Sequence, residues 1–213
     1  MKAFAVNNTM LFFAVILFAA CMIGVPRFAT GGNLMNILIQ VSINALIACG
    51  MTFVILSDGI DLSVGSVAAI AGVAGASLIK QMPDAGIAAC IAVILVTAVV
   101  VGTICGSING FCIAKLNVPP FIATLAMMNA ARGLAYVFTD AKPVFGLPDS
   151  FGWVGLRSIG VIPVSIVLMV IVIGLSYLVL SKTCFGRYIY AVGSNKEVAK
   201  LTGINVTITR VSF

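Results

Sequence analysis

Two carboxylates stand close together in the stretch Ser57–Gly65 (SDGIDLSVG), between two long apolar runs. Asp58 and Asp61 are of the residue type that serves in acid–base catalysis or binds a metal ion. The chain contains no histidine, and no third acidic residue lies nearby in the sequence, so neither chemistry finds the partners it needs. Two interpretations remain. The stretch is either a polar turn at the membrane surface, in which Asp61 or Ser63 caps the next helix, or a broken helix that lines a cavity.

Uncharged polar side chains form a second group of candidates. Gln40 and Asn44 are four residues apart and therefore share one face of a helix. Such a stripe suits the passage of a neutral, hydroxyl-rich solute, but hydrogen bonds between helices, at about 0.6–2 kcal/mol each, explain it equally well. Asn129 and Arg132 lie in a later apolar segment. An arginine there is either a costly functional group or a side chain that extends to the membrane interface.

A third polar segment, Phe185–Gly203 (FGRYIYAVGSNKEVAKLTG), follows six apolar stretches. Asn195 is suited to cap a helix of about two turns, and Gly203 is suited to end it. Val198 and Leu201 share one face of that helix through their three-residue spacing. The pattern fits either a solvated basic loop or a docking helix whose apolar face enters a groove on a soluble partner. The two caps favour the docking helix.

Membrane-spanning helices are predicted to position these residues, either within a span or in the connections between spans. Hydrophobic residues make up 62% of the 213 residues and charged residues only 8%, whereas about a quarter of a soluble domain is charged. The apolar stretches that approach or exceed the roughly 20 residues of a spanning helix are Met10–Val25, Leu34–Leu56, Leu62–Ile79, Ala85–Ile113, Phe121–Phe138 and Val161–Leu180. Because a backbone in lipid must satisfy its own hydrogen bonds, the sequence predicts an all-α, polytopic helical bundle of about six spans.

The net charge of +6 does not predict nucleic-acid binding, because the charges are sparse and fall in loops between the spans. The tendency of cytoplasmic loops to carry lysine and arginine explains them better. Five of the 12 basic residues fall between Lys182 and Arg210, which places the loop 181–210 in the cytoplasm. The six cysteines contain no C-x-x-C pair, so the sequence predicts neither a zinc site nor a disulfide framework.

Taken together, three stretches resemble the membrane permease of bacterial ATP-binding-cassette sugar importers, in the ribose, xylose, galactose and autoinducer-2 branch. They are LSDGIDLSVGSV (Leu56–Val67), KLNVPPFIATLAMMNAARGLAYVFTDAKPV (Lys115–Val144) and FGRYIYAVGSNKEVAKLTGINV (Phe185–Val206). In such permeases a loop containing Glu-Ala-Ala and a later glycine forms the coupling helix, which docks into the ATPase subunit. Glu197, Ala199 and Gly203 match that pattern, and Val198 replaces the middle alanine while keeping the face apolar.

The resemblance implies a multi-pass permease subunit in the bacterial inner membrane, which imports a monosaccharide or a similar small polyol. The implied partners, besides membrane lipid, are an ATPase subunit, a second permease copy, and a periplasmic or lipid-anchored sugar-binding protein. ATP would be bound and hydrolysed by the ATPase subunit, so the chain itself is expected to be no enzyme and to carry no cofactor. The residues expected to couple to the ATPase, within the loop 181–210, are Arg187, Asn195, Glu197, Val198, Ala199, Leu201 and Gly203. The residues expected to line the translocation pathway are Gln40, Asn44, Asp58, Asp61, Ser63, Asn129 and Arg132.

Family permeases continue for several more spans beyond the coupling loop, so the resemblance implies that residues 1–213 form one incomplete permease domain. Three alternatives stay open. A secondary transporter would need an ionisable residue in its pathway, for which Asp58, Asp61 and Arg132 are the candidates. A small membrane enzyme would use the two aspartates on a lipid, and a truncated permease would be non-functional.

Overall fold

A computed structural model of the chain describes residues 9–156, 158–159, 162–206 and 209. Most of these residues are helical. Their bounds are α1 (Thr9–Gly24), α2 (Gly31–Leu56), α3 (Val64–Lys80), α4 (Ile87–Ala114), α5 (Pro120–Thr139), α6 (Asp149–Leu156), α7 (Val164–Lys182), α8 (Cys184–Ser194) and α9 (Lys196–Leu201). Between α6 and α7, the two-residue strands β1 (Ser158–Ile159) and β2 (Ile162–Pro163) pair in antiparallel register.

Four of the described helices, α2, α4, α5 and α7, are long and apolar enough to cross a membrane. The apolar helices α1 and α3 are shorter, with 16 and 17 residues. At 1.5 Å per residue α3 is about 26 Å long, slightly less than the hydrocarbon core of roughly 30 Å. Each of the six predicted apolar stretches thus contains one of these helices, although the last also includes the β2 residues Ile162–Pro163, and the polytopic helical fold predicted from the sequence is confirmed.

The chain divides into two compact units, residues 1–42 and residues 43–213. In the first unit a tight turn joins α1 to the start of α2. The Thr30 hydroxyl donates a hydrogen bond to the Arg27 carbonyl at 2.8 Å, and the Asn33 amide donates to the Phe28 carbonyl at 2.8 Å. The rings of Phe18 and Phe28 meet edge to face, with centroids 5.3 Å apart. These contacts fix the short connection between the two helices.

In the second unit α3 packs against both α4 and α5, and α4 packs against α5. Gly75 allows the close approach of α3 and α4, because a Cβ atom there would lie 2.9 Å from the Thr97 hydroxyl oxygen. The buried apolar side chains of this group include Ile70, Ile79 and Cys90. Most other large apolar side chains face outward, as expected for helices whose surroundings are lipid.

The two ends of the α3–α5 group carry different connections. The α2–α3 turn (residues 57–63), the α4–α5 loop (residues 115–119) and helix α9 meet at one end, where residues of the loop and of α9 line the same groove. The 81–86 loop and α6 meet at the other end, where the Ser150 hydroxyl donates to the Ala85 carbonyl at 2.6 Å. The connection that precedes α6 begins at Asp140, in the left-handed conformation with φ 50°.

Helix α8 is a feature that the sequence analysis missed. The Thr183 side chain caps it by accepting a hydrogen bond from the Gly186 amide at 3.2 Å. Gly186, Ile189 and Val192 recur every three residues and form its buried face. Gly186 packs directly against the end of α7, since a Cβ atom there would lie 2.6 Å from the Val179 carbonyl oxygen. The segment expected to be a loop ahead of α9 is therefore an amphipathic helix folded back on α7.

Candidate coupling and pathway site

Helix α9 has the caps that the sequence predicts. The Asn195 side-chain oxygen accepts hydrogen bonds from the amides of Glu197 at 3.0 Å and Val198 at 3.1 Å. At the other end, the Gly203 amide donates to the Lys200 carbonyl at 3.1 Å, and Gly203 has a φ of +84°, which glycine adopts without strain. A helix of only six residues is thus held at both ends by local hydrogen bonds.

The two faces of α9 differ in exposure. Ala199 is 2% exposed and points into the chain, whereas Val198 is 54% and Leu201 86% exposed. Glu197 is also exposed. Val198 and Leu201, which the sequence predicts to share one face of the helix, do share it, and that face is exposed. Arg187, the remaining coupling candidate, is exposed on α8, where its guanidinium donates to the Cys184 sulfur at 2.9 Å.

The junction between α8 and α9 contacts the α2–α3 turn. The Lys196 ammonium forms an ion pair with the Asp58 carboxylate at 2.7 Å. Beside it, the Gly193 backbone lies directly on the Leu56 carbonyl group, in a space too small for a Cβ atom. Asp58 itself is in the left-handed conformation, with φ 62°, which aspartate adopts more often than most residues.

The Asp61 carboxylate orders the rest of the turn. One of its oxygens accepts hydrogen bonds from the Ser63 amide at 2.7 Å and from the Ser63 hydroxyl at 2.6 Å. Ser63 is the N-cap residue of α3 but makes no side-chain capping hydrogen bond, and Asp61 binds Ser63 itself and no amide within the helix. The side-chain cap predicted from the sequence is therefore wrong, because the two polar residues bind each other. The Asn109 amide of α4 in turn donates to the buried Ser63 hydroxyl at 3.3 Å. A polar network thus extends from the turn into the helix group.

A cavity of about 60 Å³ lies next to this network. Its polar side chains come from Ser57 and Asp61 of the turn, Asn109 of α4 and Thr124 of α5. The Thr124 hydroxyl donates to the Pro120 carbonyl at 2.8 Å and lies 3.3 Å from the Ile60 carbonyl. Gly106 and Gly110 add no side chains, so the cavity stays open on the α4 side. The volume is far below the 300–1,000 Å³ of typical ligand pockets, so a ligand of ordinary size fits only if the surrounding helices separate.

The other pathway candidates lie elsewhere. Asn44, Asn129 and Arg132 are exposed and do not line this cavity. The Asn129 amide donates to the Leu125 carbonyl of its own helix at 2.9 Å. Gln40 is exposed and belongs to the first unit. Among the candidates, the structure thus brings Asp61 and Ser63 together near the cavity and places Asp58 on the outer side of the turn.

The sequence analysis did not identify three residues of this site. Asn109 and Thr124 are short polar side chains inside apolar runs. Only their buried position in the fold indicates that they belong to the site. Asn109 did carry a signal, because it sits between Gly106 and Gly110 and such spacing favours close helix contacts. Lys196 was treated as one basic residue of a cytoplasmic loop. Within the described residues, no three histidine, cysteine or acidic side chains come together as metal ligands.

Comparison with known proteins gives consistent matches. The family described as branched-chain amino acid transport system / permease component matches residues 33–213. The ribose import permease protein RbsC of Haemophilus influenzae is 42% identical over 202 residues, which cover 92% of this chain and 60% of that protein. RbsC of Escherichia coli K12 is 40% identical over 215 residues, covering 99% of this chain and 65% of that protein.

A third relative is named for a different sugar. The L-arabinose transport system permease protein AraH of Escherichia coli K12 is 40% identical over 210 residues, which cover 95% of this chain and 60% of that protein. The chain therefore spans 60 to 65% of the length of these three relatives. No solved structure gives a significant match.

Proposed function

This chain belongs to the family of branched-chain amino acid transport system permease components, and we propose that it is the permease subunit of an ATP-driven sugar importer. The family match and the relatives confirm the resemblance to sugar-importer permeases predicted from the sequence. The chain is accordingly a multi-pass protein of the bacterial cytoplasmic membrane. Because two of the relatives are ribose permeases and one is an L-arabinose permease, a pentose or a similar small polyol is the cargo we propose.

Helix α9 is the observation that carries the proposal. A six-residue helix is too short to be stable alone, yet this one is capped at both ends and presents Val198 and Leu201 outward. An exposed apolar helix face of this kind suits a groove on a soluble partner. We assign that partner as the ATPase subunit. ATP is bound there, and the chain has no G-x-x-x-x-G-K-[ST] phosphate-binding sequence of its own.

The transport cycle follows from this assignment. Closure of two ATPase subunits pushes the α9 helices of two permease copies, and the movement rocks the spans between outward-open and inward-open states. A sugar-binding protein delivers the cargo at the end that carries α6. The cavity of about 60 Å³ beside Asp61, Asn109 and Thr124 is the closed form of the path, and these polar groups are suited to meet sugar hydroxyls as the helices separate.

Charge reversal on α9 tests the docking role. In the full native chain, Glu197→Lys and Gly203→Pro should abolish co-purification of an ATPase subunit while membrane insertion stays intact. Asp149→Lys is the matched control, since Asp149 is also exposed in the first turn of a short helix but lies at the opposite end. Unchanged ATPase association in both α9 variants would falsify the coupling role. Uptake of ribose driven by an ion gradient in vesicles without ATP would instead identify a secondary transporter.

A further inference from the structure

The α8–α9 junction is fastened to the α2–α3 turn at two neighbouring points. At the first point two backbones meet directly, because Gly193 leaves no space for a side chain above the Leu56 carbonyl group. At the second point, the Lys196 ammonium reaches the Asp58 carboxylate at 2.7 Å. Lys196 is the first residue of α9, so any displacement of this helix acts on both contacts.

The same turn is connected to the cavity on its other side. The Gly59 amide donates to the Val54 carbonyl at 3.0 Å, which fixes the turn to the last helical residues of α2. Two residues further on, Asp61 lines the cavity and holds Ser63, whose hydroxyl accepts a hydrogen bond from the Asn109 amide. The turn therefore stands between α9 and the polar lining of the cavity, with direct contacts in both directions.

We propose that Asp58 and Lys196 are positioning residues that transmit the displacement of α9 through the α2–α3 turn to the cavity. This inference rests on the proposed function for the source of the displacement, which is the ATPase docked on α9. The Gly193 contact transmits a push, because backbone atoms already touch there. The ion pair transmits a pull, because it resists separation of the turn from α9. With both, the turn follows α9 in either direction.

The backbone of Asp58 supports a directional role for its side chain. A non-glycine residue with φ 62° is strained in most contexts, although aspartate and asparagine tolerate it better than other residues. The Asp58 carboxylate reaches Lys196 from this backbone, while the Asp58 and Lys196 side chains remain 63% and 37% exposed. An ion pair as exposed as this adds little to stability. Its removal should therefore leave the fold intact and change only how the turn responds to α9.

Hydrogen–deuterium exchange on the full native chain in lipid nanodiscs tests the link without requiring transport. Lys196→Met removes the charge, whereas Lys196→Arg keeps it, and Asp58→Asn removes the opposite charge while tolerating the left-handed backbone. We expect amides of residues 57–63 to exchange about two- to fivefold faster in Lys196→Met and Asp58→Asn, and at the wild-type rate in Lys196→Arg. Asp140→Asn is the matched control, because Asp140 is also an exposed aspartate with positive φ but lies at the opposite end.

Vesicles containing the chain and its co-purified ATPase, supplied with the sugar-binding protein, then measure the consequence, with D-ribose and L-arabinose as the probes. Lys196→Met and Asp58→Asn should each lower the sugar imported per ATP hydrolysed at least threefold, while ATPase co-purification stays within twofold. The double variant should lose no more than either single variant, since both remove one interaction.

The possible outcomes separate the two proposals. Unchanged exchange at residues 57–63 in Lys196→Met would overturn the link, and so would multiplicative losses in the double variant or a loss of ATPase binding. If the wild-type chain binds no ATPase and imports neither sugar, the proposed function fails instead. The exchange rates still decide in that case whether Lys196 holds the turn.

Discussion

Replacing Gly193 with alanine is the most direct perturbation of the contact between α8 and α2. The added methyl carbon would lie 2.9 Å from the Leu56 carbonyl carbon and closer still to its oxygen. Non-bonded carbon atoms pack about 3.5–4.0 Å apart, so the two backbones must separate by roughly 1 Å. Both sides of the contact are main chain, and therefore no flexible side chain gives way. The separation also stretches the neighbouring pair of Lys196 and Asp58.

The expected magnitude follows from two opposing terms. Overpacking of this kind costs about 1–3 kcal/mol, and the rigid backbone on both sides favours the upper end. Alanine in place of glycine in a helix returns at most about 1 kcal/mol. The net loss in the free energy of unfolding is about 2 kcal/mol, which for a chain of this size lowers the Tm by roughly 4–8 °C.

Thermal unfolding of the full native chain in mild detergent, followed by loss of the monodisperse peak in size-exclusion chromatography, measures this shift. Gly174→Ala in α7 is the matched control, because a Cβ atom at Gly174 meets nothing within 4 Å. It receives the same gain in helix propensity without the clash, so its Tm should stay level or rise. A Tm for Gly193→Ala within about 1 °C of that of Gly174→Ala would refute the close contact, since 1 °C corresponds to under 0.5 kcal/mol.

Three further substitutions test single hydrogen bonds or backbone angles. Asn195→Ala removes the cap of α9 and should cost about 1 kcal/mol, seen as roughly fivefold faster hydrogen exchange at the Glu197 and Val198 amides; unchanged exchange would argue against the cap. Ser63→Ala leaves the Asn109 amide without its acceptor in a buried site, so the Tm should fall by about 2–12 °C, as expected for a loss of 1–3 kcal/mol. Gly203→Ala forces alanine to φ +84°, which costs roughly 1 kcal/mol of strain. It should therefore weaken ATPase co-purification about fivefold. Co-purification at the wild-type level would contradict the need for a left-handed residue there.

The spans were predictable from the sequence because a lipid environment leaves few choices. An apolar run near 20 residues must form a helix in lipid, and each of the six runs contains one. The ends of α9 were predictable for a different reason. Asn195 and Gly203 act through hydrogen bonds to residues within four positions, so their residue types carry the information locally.

The contacts of the candidate site could not be predicted, because they join residues distant in the sequence. Nothing in an acidic turn and a basic loop indicates that Asp58 and Lys196 will meet. Asn109 was hidden in a long apolar run, and its partner Ser63 lies 46 positions earlier. Helix α8 was missed because its buried face repeats only at Gly186, Ile189 and Val192, and a glycine gives no hydrophobic signal.

The pair that joins α9 to the α2–α3 turn also has a consequence for the synthesis of the chain. Asp58 and Lys196 are 138 positions apart. At roughly 5–20 residues per second, the ribosome makes Lys196 about 7–28 seconds after Asp58. During that interval the Leu56 carbonyl and the acidic turn are inserted but uncovered. The turn therefore acquires its contacts with Gly193 and Lys196 only after α3 to α7 have been made, so these helices assemble before the turn is held in place.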